Sequence, residues 1–151
     1  MSGQYHSLQD FMEEINQECY RVQRYQRPAA LAMLGVENMG QLTVKHGKAG
    51  RDIVISLVTE KLQDNLRQSD SFCRYGDFLF ALLLPETDTT RADEATHRID
   101  ALLKEINAGL KDYSLTAGYN IRSLGPEFNS DSTATAALDI QAKELSEKIK
   151  F

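Results

Sequence analysis

Apolar residues recur along this chain at two periods, and each change of period marks a new element. Leu8, Phe11, Met12, Ile15, Cys19 and Val22 fall on one helical face behind Ser7-Leu8-Gln9-Asp10, which reads as a capping box. Pro28 should stop that helix. Ala29 to Val36 is short, apolar and bounded, so a buried strand is expected. A short helix over Asn38 to His46 should end at Gly47. A longer one from Ala49 to Leu66 follows, with Ile53, Val54, Leu57, Val58, Leu62 and Leu66 as its inward stripe. Phe72 to Tyr75 and Phe78 to Leu84 read as two strands joined by a two-residue type II′ turn through Gly76-Asp77. The second of them is apolar on both faces, which predicts a central position in its sheet. Pro85 ends it, and Asp88 or Thr90 caps a helix that turns Ala92, Ala95, Ile99, Leu102, Leu103 and Ile106 inward. Ser114 to Ile121 is a further strand, a loop runs through Gly125-Pro126, and a last helix buries Leu138, Ala142, Leu145 and Ile149.

The order α-β-α-α-β-β-α-β-α, with one hairpin at its middle, predicts an α/β (α+β) fold. Its sheet is mixed and mainly antiparallel, carries a central β-hairpin and is flanked by helices on both faces. Residues 1–26 are expected to form an N-terminal helix leading into the domain, and residues 27–151 the domain itself.

Composition narrows the function more than the fold. With 151 residues the chain is one domain by size and can bury a real core. Its 42% hydrophobic and 26% charged residues are ordinary for a globular protein. A net charge of −5 argues against a general surface for a nucleic acid polymer or an anionic membrane. Cys19 and Cys73 match no metal-ligand spacing and are too few for a disulfide framework, so a cytoplasmic setting is expected. No stretch approaches the ~20 apolar residues of a membrane span, and no membrane insertion is expected. His6, His46 and His97 show no metal spacing, and neither a metal nor a cofactor is assigned.

Several short motifs, each weak alone, occur in one order. They are Arg27-Pro28 before the first strand, Gly47 and Asp52, Arg67-x-x-Asp70, Arg74-Tyr75-Gly76, Leu84-Pro85, Ser114 with Gly118, and Ala142-Lys143. In that order and spacing the chain resembles the GGDEF family, the diguanylate cyclase domain, over nearly its whole length from about Phe11. The resemblance implies a fold similar to nucleotide cyclase and polymerase palms. It also implies a chemistry in which two GTP molecules condense to cyclic di-GMP with two divalent metals neutralising phosphate charge.

The sequence departs from that pattern where the metals would bind. Gly35 stands where the first strand of the family ends in a metal-binding Asp. The hairpin reads Gly76-Asp77-Phe78-Leu79-Phe80, which puts Phe78 and Leu79 at the acidic positions. Thr43 takes the place of the guanine-reading Asn, leaving Asp52 as its partner acid. Lys143 remains, but the Arg expected after it is Glu147. These substitutions lead to the expectation that the chain is not an enzyme and that Gly35, Glu37, Thr43, Asp52, Asp77, Phe78, Leu79 and Lys143 are a vestigial active site.

Arg67-Gln68-Ser69-Asp70 matches the inhibitory motif of the family, which binds a self-stacked pair of cyclic di-GMP molecules. A guanidinium can donate to guanine O6 and N7, and a carboxylate can accept from guanine N1 and N2. Arg98 is the expected third contact, with His97 and Arg91 as neighbours on its helix. A bland reading stands beside this one, since Arg67 and Asp70 at a helix end suit the dipole and the turn. The resemblance thus implies a receptor for cyclic di-GMP, single or stacked, acting on a partner protein, a neighbouring domain or a second copy. The alternative is an interaction module without nucleotide that presents Phe78 and Leu79. A residual enzyme or GTP binder working through Glu37, Asp52 and Asp77 is a third reading.

Overall fold

The computed structural model describes residues 4–36, 38–76, 79–109, 117–124 and 138–145. The elements run β1 (Gln4–Tyr5), α1 (Leu8–Tyr25), β2 (Ala29–Val36), α2 (Met39–Asn65), β3 (Ser71–Arg74), β4 (Leu79–Pro85), α3 (Thr89–Gly109) and β5 (Ala117–Ser123), and residues 138–145 are again helical. The strands form one sheet in the order β1-β3-β4-β2-β5. β1 joins β3 in parallel, and every other pairing is antiparallel. The mixed, mainly antiparallel sheet with helices on both faces is the expected architecture.

β4 is the middle strand, and its alternation explains why the apolar run LFALLLP shows no polar face. Phe80, Leu82 and Leu84 point into a core with Val54, Val58 and Leu62 of α2 and Ile99, Leu102 and Ile106 of α3. Ala81 and Leu83 point the other way, to Phe11 and Ile15 of α1 and to Leu138 and Leu145. β2 divides in the same manner, with Ala30, Ala32 and Leu34 on the first face and Leu31 and Met33 on the second. Burying a Leu or Phe side chain is worth about 1.5–3 kcal/mol, so a strand feeding two cores is the most strongly held in the sheet.

Local signals behave as their chemistry requires. The Ser7 hydroxyl accepts from the Asp10 amide at 3.2 Å and so caps α1. The Asp88 carboxylate accepts from the Arg91 amide at 2.9 Å and opens α3 in the same way. The two helices expected on either side of Gly47 are one element with a kink, because Gly47 sits at φ 72°, ψ −172°. Backbone of that kind is essentially reserved for glycine.

Two expectations are corrected. The hairpin does not turn through two residues. Cys73 pairs with Ala81 and Arg74 with Phe80, and the Tyr75 amide donates to Leu79 O at 2.8 Å, so the pairing runs out to Tyr75 and Leu79. Burial sets this register, since Phe72 lies opposite Leu82 in the α2/α3 core, whereas a two-residue turn would set it against Ala81 of the opposite face. The strand β1 was not anticipated either. Two exposed residues carry no periodicity, and what fixes them is backbone pairing to β3. Glu37, Asp77, Phe78, Ser114, the Gly125-Pro126 loop, Glu147 and Ile149 lie outside the described residues.

Candidate functional site

The corner between α2 and β3 holds the most heavily bonded charge pair of the described residues. Leu66 leaves the helix in extended backbone (φ −80°, ψ 153°), and the chain then turns back through Gln68 and Ser69, closed by the Asp70 amide donating to Arg67 O at 2.9 Å. Asp70 is fully buried. A buried carboxylate is costly unless several donors meet it, and here all of them come from one residue. Asp70 Oδ2 accepts from the Arg67 amide at 2.9 Å and from Arg67 Nε at 3.2 Å, while Oδ1 accepts from Arg67 Nη2 at 3.0 Å. The side-by-side pairing of Nε and Nη2 is the fork geometry that suits arginine rather than lysine. Nη2 also lies 3.0 Å from Pro85 O and 3.2 Å from Thr87 Oγ1. Thr87, itself buried, donates to Pro85 O at 3.2 Å. Arg67 is thereby tied to the end of β4.

The Arg67 side chain remains 33% exposed, although Asp70 is at 0%. Among the described residues no hydrogen bond engages its Nη1, so two N–H groups on a rigid guanidinium are left to donate outward. The roles expected of the two residues thus separate. Asp70 spends both oxygens on Arg67, and Arg67 presents the open donor.

Arg98 lies across a cleft from the residues that precede Arg67. On α3 it lines a cleft with Asn65 and Leu66, the two residues before Arg67, and with Ala95, Ile99 and Leu102. The cleft holds about 20 Å³, room for a water, so a base could lie across its mouth but not within it. Arg98 is exposed. Arg91, two turns earlier on the same face, is committed to Glu86 O at 2.9 Å. His97 is exposed.

Gly35 and Leu79 lie at the opposite end of the sheet. Gly35 is buried, opposite Leu79 on one side and Gly118 on the other. Leu79 is half-buried and packs on the α1 core beside Met12 and Tyr75, and Phe80 is fully inside, so neither forms an open apolar face. Thr43 donates its hydroxyl to Met39 O at 2.9 Å, one turn back on its own helix. Asp52 and Lys143 are exposed. Tyr75 was missed by sequence reasoning. Its hydroxyl donates to Asp139, which fastens the hairpin to residues 138–145. Burial first, and then the Asp139 bond, push the Tyr75 hydroxyl up to about 12. Only the Arg-Tyr-Gly motif hints at it, because its partner lies far along the chain. Burial likewise lifts the Cys73 thiol to about 12 and the Cys19 thiol to about 11.

This five-stranded, mainly antiparallel sheet with helices on both faces defines a mixed α/β domain of the kind seen in GGDEF structures. The family model described as the diguanylate cyclase GGDEF domain matches residues 6–141, and the chain belongs to that family. Diguanylate cyclase DgcP of Pseudomonas aeruginosa is 28% identical over 91 residues, 60% of this chain. The chain spans 14% of that relative's length. Among solved structures, diguanylate cyclase SiaD of P. aeruginosa, crystallised with its activator SiaC, superimposes with a TM-score of 0.79 at 23% identity, over 94% of this chain and 55% of that one. The FimX GGDEF domain of P. aeruginosa gives 0.72 at 15% identity, over 98% and 96%. The GGDEF domain of DgcB from Caulobacter crescentus, crystallised in complex with cyclic di-GMP, gives 0.71 at 17% identity, over 95% and 86%.

Membership corrects the expectation that the chain is not an enzyme. The family is one of diguanylate cyclases, and the curated relative is named as one.

Proposed function

We propose that this GGDEF domain is a receptor for cyclic di-GMP at the α2–β3 corner, with Arg67 reading guanine, Asp70 holding Arg67 in place and Arg98 contacting the ligand from α3. The observation that carries this reading is the Arg67 guanidinium, fixed by Asp70, Pro85 O and Thr87 yet one-third exposed with Nη1 open. A preorganised guanidinium loses little freedom when it meets a guanine edge. The ligand carries two phosphates, so a second arginine on the facing helix adds attraction without a deep pocket. That a GGDEF domain of this fold was crystallised with cyclic di-GMP supports the choice of ligand. The Arg67-x-x-Asp70 spacing itself supports it as well.

The bound nucleotide, single or as a stacked pair, bridges the corner to a second copy, a neighbouring domain or a partner protein. SiaD, crystallised with a protein activator, is a precedent for such a partner on this fold. The left-handed Gln26 (φ 53°), which ends α1, supports a boundary in the chain between residues 1–26 and residues 27–151, although Phe11, Ile15, Cys19 and Val22 of α1 pack in one core with Ala29, Leu31 and Met33 of β2. No helix among the described residues is long and apolar enough to cross a membrane, and the two free, buried cysteines fit a cytoplasmic setting. The apolar-hairpin reading gains no support from Leu79 and Phe80, which face inward.

Thermal melting tests the ligand assignment. Cyclic di-GMP at about 100 times its dissociation constant should add roughly 2.7 kcal/mol and raise the melting temperature by several degrees. Arg67→Ala should show no rise. An equal rise in Arg67→Ala would move the site elsewhere.

A further inference from the structure

The turn that carries Arg67 and Asp70 is held from outside by the first residues described. The Gln4 amide donates to Asp70 O at 2.9 Å, and Gln4 Nε2 donates to Gln68 O at 3.2 Å. Two residues on, the His6 amide donates to Phe72 O at 2.9 Å. Tyr5 lies against Phe72 with ring centroids 5.0 Å apart, yet is 47% exposed. β1 therefore consists of two exposed residues on an open sheet edge, and two of its polar contacts land inside the four-residue motif itself. Behind it, Ser7 caps α1 directly, so β1 and the start of α1 are joined without a linker.

An element this short has little stability of its own, and its pairing depends on the backbone it pairs with. Gln68 O and Asp70 O are presented to Gln4 only while the turn keeps its shape. That shape is kept by the Asp70 amide on Arg67 O and by the fork between Arg67 and Asp70.

The geometry points to β1 as a strap over the Arg67–Asp70 turn, coupled to it in both directions: a formed turn holds the strap down, and a seated strap preorganises the turn for its ligand. The ligand half of this rests on the reading given under Proposed function, and the strap half does not. Coupling of this kind is reciprocal, so whatever factor β1 adds to nucleotide affinity, the nucleotide adds to β1 pairing. Residues 4–6 thereby report on the occupancy of a site formed 64 residues later in the chain.

Hydrogen exchange at the Gln4 and His6 amides reads the strap directly. In the ligand-free protein, Asp70→Asn, which weakens the fork, should speed exchange at both amides about three- to tenfold, the range expected for loss of one net hydrogen bond. Unchanged exchange in a folded Asp70→Asn would overturn the coupling whether or not any nucleotide binds. In the second arm Gln4→Pro removes the amide donor at an exposed edge position and leaves Arg67 untouched. It should weaken cyclic di-GMP binding by about three- to tenfold, and saturating ligand should slow exchange at Gln4 and His6 in the unaltered chain. Binding to the unaltered chain that is lost in Arg67→Ala but unchanged in Gln4→Pro leaves the receptor reading standing and sinks the strap. No binding to the unaltered chain sinks the receptor reading, and the exchange result in Asp70→Asn still decides the strap.

Discussion

Asp70 is fully buried, and among the described residues every hydrogen bond to its carboxylate comes from Arg67. Removing its charge leaves the Arg67 amide and guanidinium with weaker acceptors. Breaking a fully buried pair costs about 3–5 kcal/mol, but Arg67 keeps a third of its surface in water, so Asp70→Asn should cost about 2 kcal/mol. Urea unfolding measures this, and a change below about 0.5 kcal/mol would mean that the pair holds nothing. Tyr75 permits a prediction in pH. Its hydroxyl ionises near 10.0 when free and at about 12 in the fold, and the thiols of Cys19 and Cys73 rise from 9.0 to about 11 and about 12. Between those limits the unfolded chain releases protons that the folded chain keeps, so stability is intact below about pH 9 and falls as pH rises toward 12. Tyr75→Phe should make the decline shallower above pH 10, as followed by melting temperature. Equal slopes would show that Tyr75 does not ionise late.

At the scale of elements, legibility in the sequence followed the source of the information. β2 was read to its exact bounds because Ala29 to Val36 is apolar on both faces and bounded by Pro28. The caps at Ser7 and Asp88 were legible because capping is local chemistry. β1 was not, since its two residues are specified by Asp70 O and Phe72 O rather than by any pattern of their own. The hairpin turn was misjudged by one residue because its length is decided across the strands, where Phe72 must meet Leu82. Gly47 makes the kink of α2 testable. A Cβ there would meet open space, so Gly47→Ala isolates the backbone term, and with φ 72°, ψ −172° the cost should be about 1–3 kcal/mol. A neutral substitution in urea unfolding would mean that α2 straightens without penalty.

For the molecule as a whole, the family motifs in order led from sequence to fold, and the family match over residues 6–141 bears that out. The site was only half legible. Arg67 and Asp70 could be named from their spacing, but not that Asp70 faces inward or that Pro85 O and Thr87 complete the grip on Arg67, because those partners lie at the end of another strand. Arg98 could be placed on its helix, and the cleft it shares with Asn65 and Leu66 required the packing of α3 on α2. What the domain does rests on whether this corner takes a nucleotide. Calorimetric titration of cyclic di-GMP into the unaltered chain and into Arg67→Ala, with both melting curves recorded to show folded protein, tests that most directly. The receptor reading predicts a dissociation constant on the order of micromolar, about −8 kcal/mol, in the unaltered chain and no measurable heat in the variant. The absence of heat in the unaltered chain at millimolar ligand would contradict it and leave Arg67 and Asp70 as the brace between α2 and β4.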